Sequence, residues 1–286
     1  MSKPVCIDLS AGATALGVLA IRGPDAARFL QGQLSAEIEK LSVGKSTLAG
    51  LHNPQGRVVA LLALARTAPD ELFAILPGEL AADVMNRLRK YVLRAKVRIE
   101  DVSSSLRVIG CPDPRPDALA SVEWGGRWMA LANANGDAAA ADELTRAQWE
   151  EHDVRAGLPQ IFAATRETFV AQMLNLDLLG AIAFDKGCYT GQEVIARAHY
   201  RGRVKRRMQR WRYAGGEPLR PGDAARAPDG RPLVIVRAAP SAAGGQEVLA
   251  VGNFTPAGDE APAAGGEDGA AIRLEGPLPL PYALPE

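Results

Sequence analysis

The sequence has little of what defines several common protein classes. Its 286 residues include only three cysteines, which excludes a framework of several disulfides and favours a reducing compartment. The longest apolar run, 58–65, is far shorter than the roughly 20 residues of a membrane span, and the first residues lack the apolar stretch of a signal peptide. A formal net charge of zero argues against a generally basic nucleic-acid binder. We therefore expect a soluble cytoplasmic protein with no membrane partner and no direct nucleic-acid partner.

The remaining composition is that of a folded bacterial protein. Hydrophobic residues make up 47% of the chain, which excludes wholesale disorder. At roughly 100–200 residues per domain, the length indicates two or three domains. Arginine outnumbers lysine, and 29 glycines and 20 prolines are present, which is typical of a GC-rich bacterial genome.

The first part of the chain mixes strand and helix patterns. Apolar residues recur at helical spacing after Gly23-Pro24-Asp25 and over 79–95, and residues 137–156 are Ala- and Glu-rich and predicted to be helical. Predicted strands are Thr47–Leu51, Arg57–Ala65, Leu72–Leu76, Val97–Val102, Leu106–Cys111 and Arg127–Ala132. Because strands and helices do not alternate regularly, we predict an α+β fold rather than a doubly wound parallel sheet.

After about residue 208 the pattern changes to short strands separated by Gly- and Pro-rich loops. This pattern is typical of a small β-barrel or sandwich, and residues 256–269 are predicted to form a loop. The predicted strands are Gln209–Tyr213, Leu233–Ala238, Glu247–Asn253 and Ala270–Leu274.

Several familiar motifs are absent. Gly44-Lys45-Ser46 resembles the end of a phosphate-binding loop, but Glu39 stands where that loop needs its first glycine. The chain has no Cys-x-x-Cys pair, and its three histidines have no metal-ligand spacing, so we expect no stable metal of its own. There is also no Gly-x-Ser-x-Gly elbow, although spacing alone does not exclude a hydrolytic triad.

The segment 186–193, Lys-Gly-Cys-Tyr-Thr-Gly-Gln-Glu, is the strongest candidate for chemistry, and we call it the signature segment. Gly191 permits the chain to enter a helix there. Near that helix and beside Lys186, the thiol of Cys188 would become a more reactive thiolate. The alternative is that Cys188 is a small buried hydrophobic residue, as free cysteines often are.

A basic stretch follows directly. Between Glu193 and Glu217 no acidic residue interrupts it. Its charge suits a carboxylate-rich ligand, phosphates or RNA, and we expect it to share a cleft with Cys188. A solvated face is the alternative. The stretch comprises Arg197, Arg201, Arg203, Lys205, Arg206, Arg207, Arg210 and Arg212.

The signature segment, followed by Arg197 and Tyr200-Arg201-Gly202, resembles the signature of the YgfZ family. These are folate-binding proteins related to the glycine-cleavage T-protein (an aminomethyltransferase) and to a mitochondrial iron–sulfur assembly factor. Further matching pieces follow in the expected order along nearly the whole chain. They are Gly23-x-Asp25-Ala26, Phe29-Leu30-Gln31-Gly32-Gln33, Asn53-Pro54-x-Gly56-Arg57, Arg155-x-Gly157-x-Pro159, Gln172-x-x-Asn175 and Pro279-Leu280-Pro281-Tyr282.

The resemblance implies two ferredoxin-like units around a central cavity for tetrahydrofolate or a one-carbon derivative, within residues 1–207. The second unit would span roughly 49–135, and a C-terminal β-barrel would occupy 208–286. Pterin stacking and a glutamate tail require an aromatic ring and cations. Folate contacts are expected from Trp149, Tyr189, Gln192, Gln172, Asn175, Arg197 and Arg206, and reactive groups from Cys188, Lys186 and Glu193.

This chain departs from the family pattern at two places. Leu16 stands where a second folate-contacting tryptophan is expected, which weakens the case for folate affinity. Ala60 and Leu61 stand where T-proteins carry a pair of aspartates, one of which assists attack by a folate nitrogen. Without that carboxylate, no obvious group polarises the amine. We therefore do not expect an active aminomethyltransferase.

Three hypotheses about function follow. The first is a folate-binding accessory protein for iron–sulfur enzyme assembly or maintenance, and through it for tRNA modification. Its partners would be iron–sulfur proteins or their assembly machinery, and Cys188 would handle sulfur, a cluster or electrons. The second is a folate-dependent one-carbon transferase or demethylase that uses another carboxylate, such as Glu193. The third is an RNA-binding module that uses the basic stretch 197–212.

Overall fold

A computed structural model describes residues 6–12, 14–135, 145–202, 204–254 and 272–285. Two short 3-10 helices, Ala163–Thr165 and Ala171–Leu174, lie between the α-helices Arg146–Arg155 and Gln192–Arg201. No helix in the described ranges has the length and apolar character needed to cross a bilayer. The elements are β1 (Ile7–Asp8), β2 (Leu16–Arg22), α1 (Ala26–Gln31), β3 (Ser46–His52), β4 (Val58–Ala68), β5 (Glu71–Pro77), α2 (Gly78–Arg89), β6 (Arg98–Asp101), β7 (Leu106–Cys111), β8 (Ala120–Trp124), β9 (Arg127–Asn133), α3 (Arg146–Arg155), α4 (Gln192–Arg201), β10 (Arg206–Tyr213), β11 (Ala224–Arg226), β12 (Pro232–Pro240), β13 (Gln246–Asn253), β14 (Ile272–Arg273) and β15 (Glu275–Leu278).

The first sheet has five antiparallel strands in the order β3-β4-β5-β2-β6. Residues 58–65 of β4 are buried without alternation, because apolar side chains fill both faces of the strand. Helix α2 contacts this sheet, and its buried residues Leu80, Val84 and Leu88 recur at helical spacing. The helix predicted over 79–95 is therefore present but ends at Arg89.

The second sheet has the order β1-β7-β9-β8, and α3 lies close to it. A capping box starts α3, because the Thr145 hydroxyl accepts from the Gln148 amide while the Gln148 side chain accepts from the Thr145 amide. The helix approaches β7 at Gly110, where a Cβ atom would lie 2.6 Å from the Trp149 ring. The glycine therefore permits the close packing of α3 on this sheet.

The third sheet has six strands in the order β14-β11-β12-β13-β10-β15. Its two edge strands, β14 and β15, are separated in the chain by Leu274 alone. One residue spans only about 3.5 Å, so the opposite edges of the sheet must lie close together. The sheet is therefore curled into a half-barrel, with a small core that contains Trp211, Val248 and Ala250.

The half-barrel packs against the rest of the protein through its other face. In β13, Leu249 and Val251 alternate with the inward residues and belong to the main core. The main core therefore continues across the domain boundary predicted at 207/208. The third sheet starts close to that boundary, because β10 begins at Arg206. The division into two domains at 207/208 stays a prediction.

The predicted α+β class is confirmed. The six strands predicted before residue 208 are present with small shifts at their ends, whereas β1, β2 and β8 were not predicted. The boundary of a second unit near 49 stays a prediction, and the first sheet contains β2 from before it. Residues 137–144 of the predicted third helix and the predicted loop at 256–269 lie outside the described residues.

One cysteine pair, Cys6 and Cys111, forms a disulfide that the sequence did not predict. The two residues are 105 positions apart, and only the pairing of β1 with β7, with Ile7 opposite Gly110, brings them together. A single bridge does not contradict the exclusion of a disulfide framework. It does remove the cysteine argument for a reducing compartment.

Candidate functional site

A partly enclosed cavity lies between α3, the first two sheets and β12, and we call it the central cavity. Its water-accessible volume is about 30 Å³. Apolar residues such as Leu16, Ala63 and Met129 form part of its wall, and Arg146 and Arg237 add charge. The wall therefore combines apolar surface with a few fixed polar groups, as small-molecule sites do.

Trp149, the predicted folate contact, lines this cavity from α3. Its side chain is also buried against the second sheet. The Arg127 guanidinium lies 3.6 Å from the centre of its ring and so covers one face. Trp149 therefore has a structural role and a place in the cavity wall at the same time.

Asp153 is the centre of a buried polar network, which we call the Asp153 network. One carboxylate oxygen accepts from Trp124 Nε1 at 3.0 Å and from Arg127 Nη2 at 2.6 Å. The other accepts from Arg237 Nη2 at 2.6 Å. Burial lowers the pKa of Arg127 to about 10, and the attraction of Asp153 opposes that shift. The network joins α3, β8, β9 and β12 around the cavity.

A second carboxylate in the wall, Glu150, is differently placed. Its Oε1 accepts from the Thr14 hydroxyl at 2.6 Å. Arg146, one turn earlier on α3, donates to the carbonyls of Asp8 and Ala11. Desolvation lowers the pKa of Arg146, which nevertheless keeps its charge at neutral pH. These groups provide the cavity with an acceptor and a cation beside Trp149.

The signature segment begins with a buried anchor. Lys186 Nζ donates to the backbone carbonyls of Gln31, Leu34 and Ala36 at 2.6–2.8 Å. Burial lowers its pKa to about 8, but three carbonyl acceptors favour the ammonium form. The side chain predicted to assist catalysis therefore ties the segment to the end of α1.

Tyr189 forms a second anchor. Its buried ring lies 5.2 Å from Lys186 Nζ and 6.2 Å from the His52 ring, and burial raises its pKa to about 12. His52 is buried, with no hydrogen-bond partner for either ring nitrogen among the described residues. Burial lowers its pKa to about 3 and outweighs the opposing effect of the Gly56 backbone.

The segment turns into α4 against the β3–β4 hairpin. Gly191 has φ +84°, and a Cβ atom there would lie 2.5 Å from the Asn53 carbonyl oxygen. Both the positive φ and the close approach require glycine. The hairpin is held by Asn53 Oδ1, which accepts from the amides of Gln55 and Arg57.

Between the two anchors Cys188 is free and exposed, so its prediction as a buried hydrophobic residue is wrong. Glu193 and Arg197 are also exposed, on the first and middle turns of α4, and Gln192 is half-buried at its start. None of these four residues lines the central cavity. The exposed thiol is therefore presented on the surface of the signature segment.

Three other predicted site residues lie under the half-barrel or in it. Gln172 Nε2 donates to the Ile195 carbonyl, and Asn175 Nδ2 donates to the Met208 carbonyl. Arg206 is half-buried in β10, whereas the neighbouring Arg207 is buried and donates to both oxygens of Asp177. None of the predicted trio lines the central cavity.

The sequence thus predicted one site where the structure has two. The hairpin that supports α4 ends at Gly56, whereas the central cavity meets β4 at Ala63. Seven residues of strand span about 23 Å, so the signature segment and the central cavity are well separated. Cys188 therefore does not line the central cavity, and a cleft shared by Cys188 and the basic stretch stays a prediction.

Ala60 and Leu61 are fully buried in β4 and do not line the central cavity. No cluster of three His, Cys, Asp or Glu side chains that could hold a metal occurs within the described ranges. The carboxylates that do reach the cavity, Glu150 and Asp153, come from α3 and were not predicted. The four-residue spacing from Trp149 to Asp153 is a signal that could have indicated the latter.

Cys188 is expected to be the one thiol that reacts in the folded protein. Cys6 and Cys111 are bonded and buried, whereas Cys188 is free and exposed. Titration with an aromatic disulfide reagent should count one thiol per native chain, and three after denaturation with reductant. A Cys188→Ser control should count none in the native state. Two or three native thiols would contradict the disulfide.

The sequence of this chain is similar to those of known proteins. Residues 10–121 match the family model of the GCVT N-terminal domain. The tRNA-modifying protein YgfZ of Edwardsiella ictaluri is 33% identical over 230 residues, covering 70% of this chain and 69% of that protein. The YgfZ protein of an Enterobacter species is 32% identical over 230 residues, covering 68% of each chain.

A solved structure agrees in fold. The glycine cleavage system aminomethyltransferase T from Bartonella henselae superposes with a TM-score of 0.66 and 15% identity, covering 87% of this chain and 78% of that one. At that identity the likeness shows the fold alone. The relatives that are at least 30% identical, together with the GCVT match, show the family. This chain belongs to the YgfZ family.

Proposed function

We propose that this chain is a bacterial, cytoplasmic folate-binding accessory protein. It would support the assembly or maintenance of iron–sulfur enzymes, and through them tRNA modification. Its relatives carry the name tRNA-modifying protein, which supports the last part of the proposal. Its partners would be a tetrahydrofolate and iron–sulfur proteins or their assembly machinery.

The observation that carries the proposal is the central cavity, where Trp149 lies beside Arg146 and Arg237. A folate has a flat pterin ring and a carboxylate-bearing tail, which suit an aromatic wall and guanidinium groups. Leu16 lies in the same wall, at the position where the family has a second tryptophan. Both positions at which the family has a tryptophan therefore lie in the wall of this cavity, but only Trp149 is aromatic in this chain.

The residues that line the cavity suit a folate, but the cavity is too small to hold one. Ligand pockets commonly hold about 300–1,000 Å³, whereas this cavity has about 30 Å³. Binding would therefore require the wall to open, and the half-buried Arg146 and Glu150 form its less buried part. We expect a ligand-induced rearrangement of α3 side chains rather than a preformed pocket.

Calorimetric titration with tetrahydrofolate tests this proposal. We expect saturable binding to the wild-type protein and at least a tenfold weaker affinity for Trp149→Ala, because the substitution removes the aromatic wall. Trp128→Ala is the matched control, since Trp128 lies on β9 but does not line the cavity. Circular dichroism and thermal unfolding should establish that each variant is folded at the temperature of the titration.

Two outcomes would contradict the proposal. One is the absence of binding to a folded wild-type protein. The other is equal affinity of wild type and a folded Trp149→Ala variant, which would place any folate outside the central cavity. Without binding, the chain would be a scaffold for the signature segment rather than a folate-binding protein, and with equal affinities the central cavity would not be the folate site.

We further infer that the first sheet is one of two ferredoxin-like units. The element order β2-α1-β4-β5-α2-β6 and the strand order β4-β5-β2-β6 support this, with β3 added at the edge. In this proposal the half-barrel is the C-terminal barrel. Cys188 would act at a separate surface as a transient thiolate that meets partner proteins, because it is exposed and outside the cavity.

A further inference from the structure

A second concave site lies between α4, the 3-10 helix 171–174 and the end of β13, and we call it the α4 groove. Its volume of about 640 Å³ is far larger than that of the central cavity. Gln172, Tyr200 and Phe254 are among the residues that line it. The groove is therefore large enough for a ligand.

Aromatic rings form one side of this groove. The His199 ring stacks on Phe184 with centroids 3.8 Å apart and planes inclined by 15°. Tyr200 packs edge-on against His199, with centroids 4.7 Å apart, yet 66% of its surface is exposed. An exposed tyrosine that is held by its neighbours offers a fixed surface for a flat ring.

The charge around the rings is positive. Arg201 lines the groove, and Arg197 and Lys205 are exposed nearby. Within the described part of the chain none of these three cations forms an ion pair. Asp177, the one carboxylate among the described residues of the lining, is neutralised by the bidentate contact with Arg207. The groove therefore favours an anionic group.

A buried acceptor without a donor lies in the same wall. Gln172 is 1% exposed, and its Nε2 donates to the Ile195 carbonyl, which fixes the orientation of the amide. Its Oε1 then has no hydrogen-bond partner among the described residues. An unsatisfied buried carbonyl is unfavourable, so a ligand that brings an N–H group would be stabilised there.

We propose that the α4 groove binds a nucleotide. The base stacks on Tyr200, an amino group of the base donates to Gln172 Oε1, and Arg201 contacts the phosphate. Stacking, a directed acceptor and a cation are the three features that recognise one nucleotide. An acidic peptide would use the cations but would leave the ring surface and the acceptor unused. The nucleotide is either free or part of single-stranded RNA, and the binding chemistry is shared.

Binding of AMP and of a single-stranded oligoadenylate of eight nucleotides tests this proposal. We expect Tyr200→Ala to weaken binding of either probe at least fivefold, since stacking on an aromatic ring contributes that much or more per base. Tyr91→Ala is the matched control, because Tyr91 is 49% exposed and lies outside the groove. N6,N6-dimethyl-AMP, which lacks the amino donor, should bind at least fivefold more weakly than AMP.

The two probes also separate the sources of the ligand. AMP binding with a 1:1 stoichiometry indicates a free nucleotide, whereas binding of the oligomer alone, with a steep salt dependence, indicates RNA. The proposal is overturned if neither probe binds at millimolar concentration, or if Tyr200→Ala binds like wild type. Displacement of AMP by tetrahydrofolate in Trp149→Ala would also overturn it, because the groove would then be a folate site.

Discussion

Replacement of Asp153 by alanine is expected to lower the free energy of unfolding by about 3–5 kcal/mol. The side chain of Asp153 is 2% exposed, and it accepts from Arg127, Arg237 and Trp124. Its removal leaves two guanidinium groups in a low-dielectric interior without their counter-charge. The loss of a buried partner is costly even where the complete ion pair is not strongly stabilising. Urea denaturation at neutral pH measures the effect.

Asp83→Ala provides the matched control for this prediction. Asp83 is paired with Arg166, but its side chain is 62% exposed, and exposed pairs contribute about 0–1 kcal/mol. Asp153→Asn should fall between the two, because it keeps an acceptor while it removes the charge. Equal destabilisation by Asp153→Ala and Asp83→Ala would show that the network does not hold the four elements together.

The Asp153 network also explains why the sequence predicted the cavity only in part. Trp149 was predicted because it occupies a recognisable position next to Arg155-x-Gly157. Arg237 lies 84 positions from Asp153, in a strand whose other residues are mostly apolar. Only the packing of β12 on α3 brings them together. An arginine inside an apolar strand indicates a buried ion pair, but the sequence alone does not identify the partner of Arg237.

The signature segment illustrates the opposite case. Its sequence predicted the glycine entry into α4 and an important role for Lys186, Cys188 and Tyr189. The alternation of buried, exposed and buried side chains in 186–189 was not predicted, because it depends on where α1 ends and where β3 lies. Lys186 was therefore interpreted as chemistry when its contacts are those of an anchor. Gln172 and Asn175, which the sequence predicted as folate contacts, do not line the central cavity, and their role in binding stays a prediction.

The central cavity differs from Cys188 and the α4 groove in its access to solvent. The central cavity is small and its polar groups are paired, whereas Cys188 and the α4 groove are open to partners. Helix α4 links the latter two, since its first turn follows Cys188 and its last turn carries Tyr200 and Arg201. A ligand in the α4 groove would therefore contact the last turn of α4, and the first turn of that helix begins in the signature segment.

Burial of His52 beside Tyr189 should lower the free energy of unfolding in acid. Burial lowers the pKa of His52 to about 3, whereas an unfolded chain has a histidine pKa of about 6.5. Between these values the unfolded state binds the proton more readily, so stability is lost as the pH falls from 6.5 towards 3. At about 1.4 kcal/mol per pH unit, the loss between pH 6.5 and 4 is about 3 kcal/mol.

Comparison of wild type with His52→Leu isolates this contribution. Both proteins lose stability from carboxylate protonation below about pH 5, and subtraction of their unfolding free energies at each pH removes that common part. The difference should change by about 3 kcal/mol between pH 6.5 and 4, even if the substitution itself alters packing at neutral pH. A difference that stays constant with pH would mean that His52 accepts a proton in the folded protein, so that the space between β3 and the signature segment admits water.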